Sequence, residues 1–199
     1  MKTKWIVLIV VALVVIIGYS TFKGSYNGMV QREESISGAW AQVENQYQRR
    51  SDLIPNLVST VKGYAEFEQE TLTGVIEARA KATSVSINPE NLSPDAIAQF
   101  EQAQQGVSSA LSRLLVTVER YPDLKASTQF SQLQVQLEGT ENRISVERRN
   151  FNTAVQGYNT FIKTFPKNII AGMFGFEKKG YFEAKPGLDV APEVTFGHA

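Results

Sequence analysis

Apolar positions follow two different rules along this chain. From Trp5 to Gly18 they are continuous (WIVLIVVALVVIIG), and Tyr19 to Phe22 extend the run with weakly polar residues. As a helix rising ~1.5 Å per residue, the stretch from Trp5 to Phe22 is ~27 Å long, about the thickness of a hydrocarbon core. It reads as a membrane anchor, with Trp5, Ile6, Leu8, Val11, Leu13, Val15, Ile17 and Phe22 among its lipid-facing residues. A cleaved signal peptide is the rival reading. It requires small residues after the apolar core, and Tyr19-Ser20-Thr21-Phe22-Lys23 offers bulky ones. Lys2, Lys4 and the amino terminus precede the span, while Lys23 and Arg32 follow it with Glu33 and Glu34. This margin favours a cytoplasmic N-terminus, with residues 23–199 outside a bacterial inner membrane, in the periplasm where there is one.

Beyond Tyr26 the apolar residues recur at steps of three and four, the period of an amphipathic helix. Tyr26, Met29, Val30, Ile36, Trp40, Val43 and Tyr47 form the first stripe, ending at Arg49-Arg50. Ser51-Asp52-Leu53-Ile54-Pro55 can start a new helix, since Ser51 or Asp52 can cap it and Pro55 fits its first turn. Yet Tyr47, Ile54 and Val61 keep one heptad phase, so a single kinked helix fits as well as a hairpin. The second stripe runs through Ile54, Leu57, Val58, Val61, Ala65, Leu72 and Ile76.

Residues 84–93 (SVSINPENLS) read as a loop, and Ser93-Pro94-Asp95 as a helix start. The third stripe is Ile97, Phe100, Gln104, Val107, Leu111, Leu114, Val118 and Tyr121, stopped by Pro122-Asp123. The fourth begins around Ser127 and carries Phe130, Leu133, Leu137, Ile144, Phe151, Val155, Tyr158, Ile162 and Phe165. No segment alternates with period two. The expected fold is therefore all-α, an N-terminal transmembrane helix followed by an antiparallel, four-helix bundle of coiled-coil-like helices.

The expected division is an anchor at 1–25, a bundle at 26–165, an aromatic segment at 166–185 and a flexible tail at 186–199. The third part is rich in apolar and aromatic residues, Ile169, Ile170, Phe174 and Phe176 among them, with Lys167, Lys178, Lys179 and Lys185 around it. Apolar side chains flanked by lysine suit a bilayer interface across 166–182. Packing as a lid on the base of the bundle is the other reading, and aromatic residues in a small domain commonly serve its core.

Composition removes most chemistry. Without Lys2, Lys4 and Lys23, 17 basic residues face 20 acidic ones, a net of −3 that carries no footprint for nucleic acid. The absence of cysteine excludes disulfides, Cys-zinc sites, lipid attachment to Cys and thiol catalysis. Histidine occurs once, at His198, so the commonest general base and metal ligand is missing from the body of the chain. A Ser nucleophile has no His to activate it, and nothing places Lys62 or Lys125 in a dry pocket for a Ser–Lys dyad. Gly63, Gly74, Gly106 and Gly157 stand isolated within helices and form no phosphate-binding loop. No catalytic residue, metal or cofactor is expected.

The densest polar clusters are Arg49, Arg50 and Asp52, and Asn142, Arg143, Arg148 and Arg149. Arginine's planar fork suits carboxylates and phosphates, so these are candidates for an interaction surface. The competing reading has them pair with Asp52, Glu141 and Glu147 to set helix register. Glu68 and Arg148 both fall in core phase and must be paired or near a bundle end.

Ala39-Trp40, RRSDLIPNLV at 49–58, VKGYA at 61–65 and Glu77-Ala78-Arg79 together resemble the LemA family, as do ALSRL at 110–114 and YPDLKA at 121–126. Tyr26-Asn27, TENRI at 140–144, Arg148-Arg149, Tyr158-Asn159-Thr160 and Phe165-Pro166 extend the likeness over about residues 26 to 182. The resemblance implies a membrane-anchored helical protein whose molecular function is open; similar magnetosome-membrane proteins are linked to shaping membranes. Family members often carry His where this chain has Phe67, so no role for that His transfers. The expected function is a non-enzymatic scaffold on the bilayer, assembling with copies of itself. The alternative is an accessory subunit of another membrane protein, such as a quality-control protease, recognised through the Arg-rich turn at 49–52.

Overall fold

The structure, a computed structural model, describes residues 2–64, 68–89 and 91–183. Among the described residues six helices follow one another: α1 (Lys2–Lys62), α2 (Gln69–Ser84), α3 (Pro94–Val118), α4 (Pro122–Lys125), α5 (Thr128–Lys163) and α6 (Lys167–Phe174). No strand occurs among the described residues. The starts of α3 and α5 follow from sequence chemistry, since Ser93 Oγ accepts from the Ala96 amide at 3.3 Å and Ser127 Oγ from the Phe130 amide at 3.4 Å.

The longest element is α1, 61 residues without interruption. Its first part is exposed side chain throughout, from Trp5 to Tyr19. A window of this stretch has mean hydropathy 2.6 with nothing buried inside the protein, long and apolar enough to cross a membrane. The same helix then enters the bundle, where α5 runs antiparallel beside it: Gly28 faces Phe161, Trp40 faces Phe151 and Arg50 faces Glu141. α2 and α3 form the other antiparallel pair, with Glu68 before α2 bonded to Arg120 after α3 at 2.8 Å.

Two apolar cores are stacked along α1. The lower joins Met29, Ile36, Trp40, Val43 and Tyr47 to Phe100 of α3, to Phe151, Val155, Tyr158 and Ile162 of α5, and to Phe182. The upper joins Ile54, Leu57, Val58 and Val61 to Leu72 and Val75 of α2, Val107 to Val118 of α3, and Phe130 to Leu137 of α5. α2 packs only in the upper core. In the lower one its place is taken by irregular chain carrying Ile87, Leu92 and Phe182. Gly28 permits close approach of α1 and α5, since a Cβ there would lie 2.7 Å from the Phe161 ring.

Several expectations from the pattern need correction. The helix passes straight through Ser51–Pro55, so the hairpin alternative is wrong, and neither Ser51 nor Asp52 caps anything. The break comes instead at Gly63–Tyr64, where the chain turns with Gly63 N donating to Thr60 O at 3.3 Å and Tyr64 N to Val61 O at 3.0 Å. The interruption resets helical phase: Val75 is buried and Ile76 exposed, and Glu68 lies outside the core. Tyr26, Val30 and Phe165 also turn outward from their stripes. Ala65, Phe67, Lys185, the 186–199 tail and His198 lie outside the described residues.

Candidate functional site

A polar layer separates the two cores. On α1, Arg50 falls between Tyr47 below and Ile54 above; on α5, Glu141 falls between Leu137 and Ile144. Gln104 and Ser108, one turn apart on α3, complete the layer. Arg50 is 2% exposed, and both terminal nitrogens of its guanidinium are engaged twice. It donates to Glu141 Oε1 at 2.6 Å, Ser108 Oγ at 2.9 Å, Gln104 Oε1 at 2.6 Å and the Gln104 carbonyl at 3.2 Å. The Tyr47 ring lies 5.0 Å from its guanidinium carbon. A charge so far from water is tolerable only with this degree of pairing.

Below the layer, residues after α6 run back along the bundle as an extended strap over 175–183, with Gly175 at φ 73° turning the chain out of α6. Two asparagines on one face of α5 hold it. Asn159 donates to the Lys179 carbonyl at 2.9 Å and accepts from the Lys179 amide at 3.0 Å. Asn152 does the same for Phe182, at 2.8 and 2.9 Å. A primary amide presents the same donor and acceptor as a peptide group, so these side chains replace a neighbouring strand. Gly180 N donates to Leu92 O at 2.8 Å, and Arg148 donates to the Glu101 carboxylate and to the Glu183 carbonyl. The strap delivers Phe182 to the centre of the lower core, stacked on Trp40 at 5.9 Å and edge-on to Phe151 at 5.4 Å.

Between strap, α3 and α5 lies a groove of about 510 Å³ lined by Arg50, Glu101, Gln104, Glu141, Arg148 and Lys163. A smaller one of about 190 Å³ lies beyond the layer against Ser51, Arg79 and Thr83. Burial pushes the Tyr47 hydroxyl above its ordinary pKa, opposed by Arg148 and Arg50. Tyr158 is raised by burial, with Glu33 and Glu177 adding to it. Glu44 is raised by partial burial, with Trp40 opposing. Lys163 is lowered because Lys178 lies within hydrogen-bonding reach and repels it. Among the described residues no three of His, Cys, Asp and Glu come together as a metal-holding set.

A family model described as the LemA family matches residues 39–196, from Ala39 beside Trp40 on α1 across the polar layer and the strap. The chain belongs to the LemA family. It is similar to magnetosome protein MamQ 1 of Paramagnetospirillum magneticum, 25% identical over 94% of this chain and 75% of the relative. Protein LemA of Metamycoplasma hominis is 25% identical over 91% and 79% of the two chains, and MamQ of Magnetospirillum gryphiswaldense 27% identical over 85% and 68%. The names of family and relatives denote no enzyme, and with the apolar part of α1 they point to a membrane location.

In this LemA-family chain the candidate arginines divide into two kinds. Arg50 and Arg148 are internal fasteners, whereas Arg49, Arg143 and Arg149 are exposed and make no ion pair among the described residues. Asp52 is exposed and accepts from Gln48 at 2.8 Å, away from the arginine pair, and Glu147 accepts from Asn150 at 2.9 Å. Asn142 is exposed as well. The segment 49–52 is mid-helix, so the Arg-rich turn does not exist. Glu68 and Arg148, both expected in core phase, pair with Arg120 and Glu101 and not with one another.

The aromatic segment also divides. Ile170 is buried at the base, Phe174 packs on Phe22 and Tyr26, Phe176 is half-buried beside Tyr26, and Lys179 bonds Glu33 at 2.6 Å. Ile169 and Lys178 remain outward. An interface extending to residue 182 is ruled out, because Phe182 sits beside Trp40, ~21 Å along α1 from Tyr26 at 1.5 Å per residue. The pattern reading missed Asn152, Asn159, Glu101 and Arg79. Asn159 had a visible signal, an amide in core phase between Val155 and Ile162.

Proposed function

We propose that this chain is a membrane-anchored, non-enzymatic helical scaffold whose bundles associate with copies of themselves at the membrane surface and organise it. The observation that carries this reading is the continuity of α1. One helix serves as apolar span and as a wall of both cores, so bundle and anchor move as one rod ~90 Å long at 1.5 Å per residue. Bundles fixed in a plane meet at high effective concentration, and weak lateral contacts then suffice. The surface offered for such contacts is Arg49 on α1 with Asn142, Arg143 and Arg149 on α5. In this reading the N-terminus is cytoplasmic and the bundle stands outside the inner membrane, as the lysine placement favours.

The test is the mass of the full-length chain in mild detergent, by light scattering after size separation. A defined assembly that Arg49→Glu with Arg149→Glu dissolves, at unchanged helicity, supports the reading; a monomer overturns self-assembly. Arg50 is unsuited to this test because it is buried within the bundle and offers no surface to a second copy. A second reading, an accessory subunit of a membrane enzyme such as a quality-control protease, draws on the groove beside Arg50 and Arg148, whose size suits a short stretch of a partner's chain. Cross-linking in the membrane to a larger protein would favour it.

A further inference from the structure

The base of the bundle carries apolar side chains that are exposed among the described residues. Phe165 is 80% exposed, Ile169 54% and Met173 70%. Ile169 and Met173, four residues apart on α6, share one face of that helix, and Phe165 lies in the short turn that leads into it; together they make the exposed ridge. The opposite side of α6 is bonded into the lower core through Ile170 and Ala171. This helix is thus fixed in place with its remaining large apolar side chains turned outward.

Its height is set by contacts to α1. The Phe174 ring meets Phe22 at 5.7 Å and Tyr26 at 5.1 Å, and Phe176 meets Tyr26 at 5.7 Å. Phe22 is the last residue of the apolar run, and Lys23 follows it. The ridge therefore lies where α1 would leave hydrocarbon for headgroups. Cations surround it: Lys163 and Lys178 lie beside each other, neither in an ion pair among the described residues, and Lys167 stands 4.2 Å from the Phe161 ring centre. Of the nearby carboxylates, Glu33 is engaged by Lys179, and Glu177 stands next to Lys178 in the chain, leaving the three lysines in excess over one exposed carboxylate. Two ammonium groups held together repel, and an anionic surface relieves that repulsion.

We propose that Phe165, Ile169 and Met173 form a foot seated in the headgroup region of the bilayer that α1 crosses, and that Lys163, Lys167 and Lys178 make it prefer anionic lipid. This rests on the reading of α1 as a membrane span. A foot and a span attached to one rigid helix fix the tilt and rotation of the bundle, since two points of contact with the bilayer restrict what one leaves free.

The natural chain has no cysteine, so single Ile9→Cys, Met173→Cys and Val135→Cys variants take one environment-sensitive fluorophore each. Each full-length protein is placed in phosphatidylcholine vesicles, with and without a quarter of phosphatidylglycerol, containing lipid spin-labelled near the headgroup or deep in the chains. The expected result is quenching of the Met173 label by shallow quencher, of the Ile9 label by deep quencher, and of the Val135 label by neither. Removing phosphatidylglycerol, or introducing Lys163→Glu with Lys178→Glu, reduces quenching at position 173 by roughly twofold or more and leaves position 9 unchanged. Quenching at 9 without quenching at 173 overturns the foot while sparing the span. An unquenched label at 9 overturns the span and the foot with it. A label at 173 shielded from water yet unquenched assigns the ridge to a second copy of the chain. Quenching at 173 that ignores lipid charge overturns the part given to the lysines.

Discussion

Arg79 Nε donates to the carbonyl of Ser51 at 2.8 Å, from α2 into the side of α1. The acceptor is the carbonyl that would bond the amide of residue 55, and residue 55 is proline. Proline has no N–H to give, so the i−4 carbonyl of an interior proline is orphaned. Arg79 supplies the missing donor, and α1 continues through a residue that usually ends a helix.

That arrangement predicts strong coupling between positions 55 and 79. Arg79→Ala should cost roughly 1–2 kcal/mol by leaving the carbonyl unbonded. Pro55→Ala restores the helical amide and should stabilise the chain; in that background Arg79→Ala should cost about 1 kcal/mol less. A double-mutant cycle by chemical denaturation measures the difference. Additive effects would show that Arg79 acts on something other than the gap.

In the polar layer the two partners should be unequal under substitution. Glu141→Gln leaves a cation that is 2% exposed without its counter-charge, and should cost roughly 2–3 kcal/mol even though Glu141 itself is partly solvated. Arg50→Met removes the charge and leaves Glu141 facing water, so it should cost less. The pair Arg50→Met with Glu141→Leu should lie closer to the natural chain than Glu141→Gln alone. Denaturation midpoints for the three variants order them, and a greater loss in Arg50→Met reverses this account.

The strap should release from its clamps before the bundle unfolds. Asn152→Ala and Asn159→Ala each strip partners from one amide and one carbonyl, a loss of about 1–3 kcal/mol each. Amide exchange should accelerate at Phe182 in the first variant and at Lys179 in the second, with α1 amides largely unchanged. Phe182→Ala empties the centre of the lower core and should lower global stability by about 3–5 kcal/mol. Gly180→Ala should resemble the asparagine variants, because a Cβ there would lie 2.7 Å from Pro94 Cα and push the strap away.

What was legible in the sequence was whatever repeats locally. The α3 and α5 stripes, the Ser93 and Ser127 caps and the apolar run of α1 each need only near neighbours to be recognised. The continuity of α1 was not legible, because whether Pro55 ends a helix depends on a donor 24 positions further on, at Arg79. The direction of Arg50 was equally hidden. Arg49 and Arg50 differ by one helical step, and only the arrival of Gln104 and Glu141 from other helices decides which of them is internal. The strap has no periodicity at all; its fold is written in Asn152 and Asn159 on α5, 30 and 20 residues before the peptide groups they hold.

High pH should unfold this protein through its buried tyrosines. Tyr47 and Tyr158 are both fully or nearly fully enclosed, and burial raises each above the ordinary phenol value near 10. The unfolded chain therefore loses those protons first, and the folded chain binds more of them between the unfolded and folded pKa values. With the native state holding the extra protons, stability is intact below pH ~10 and falls as pH rises above it, by about 1.4 kcal/mol per pH unit for each such tyrosine. Tyr158 offers the cleaner test because its hydroxyl has no hydrogen-bond partner among the described residues. Tyr158→Phe should change stability at pH 7 by less than about 0.5 kcal/mol and make the alkaline limb shallower by about one proton. Denaturation curves at pH 8 to 11 for the two proteins decide it; parallel alkaline limbs would place the Tyr158 proton equally well in folded and unfolded chains, against the burial seen here.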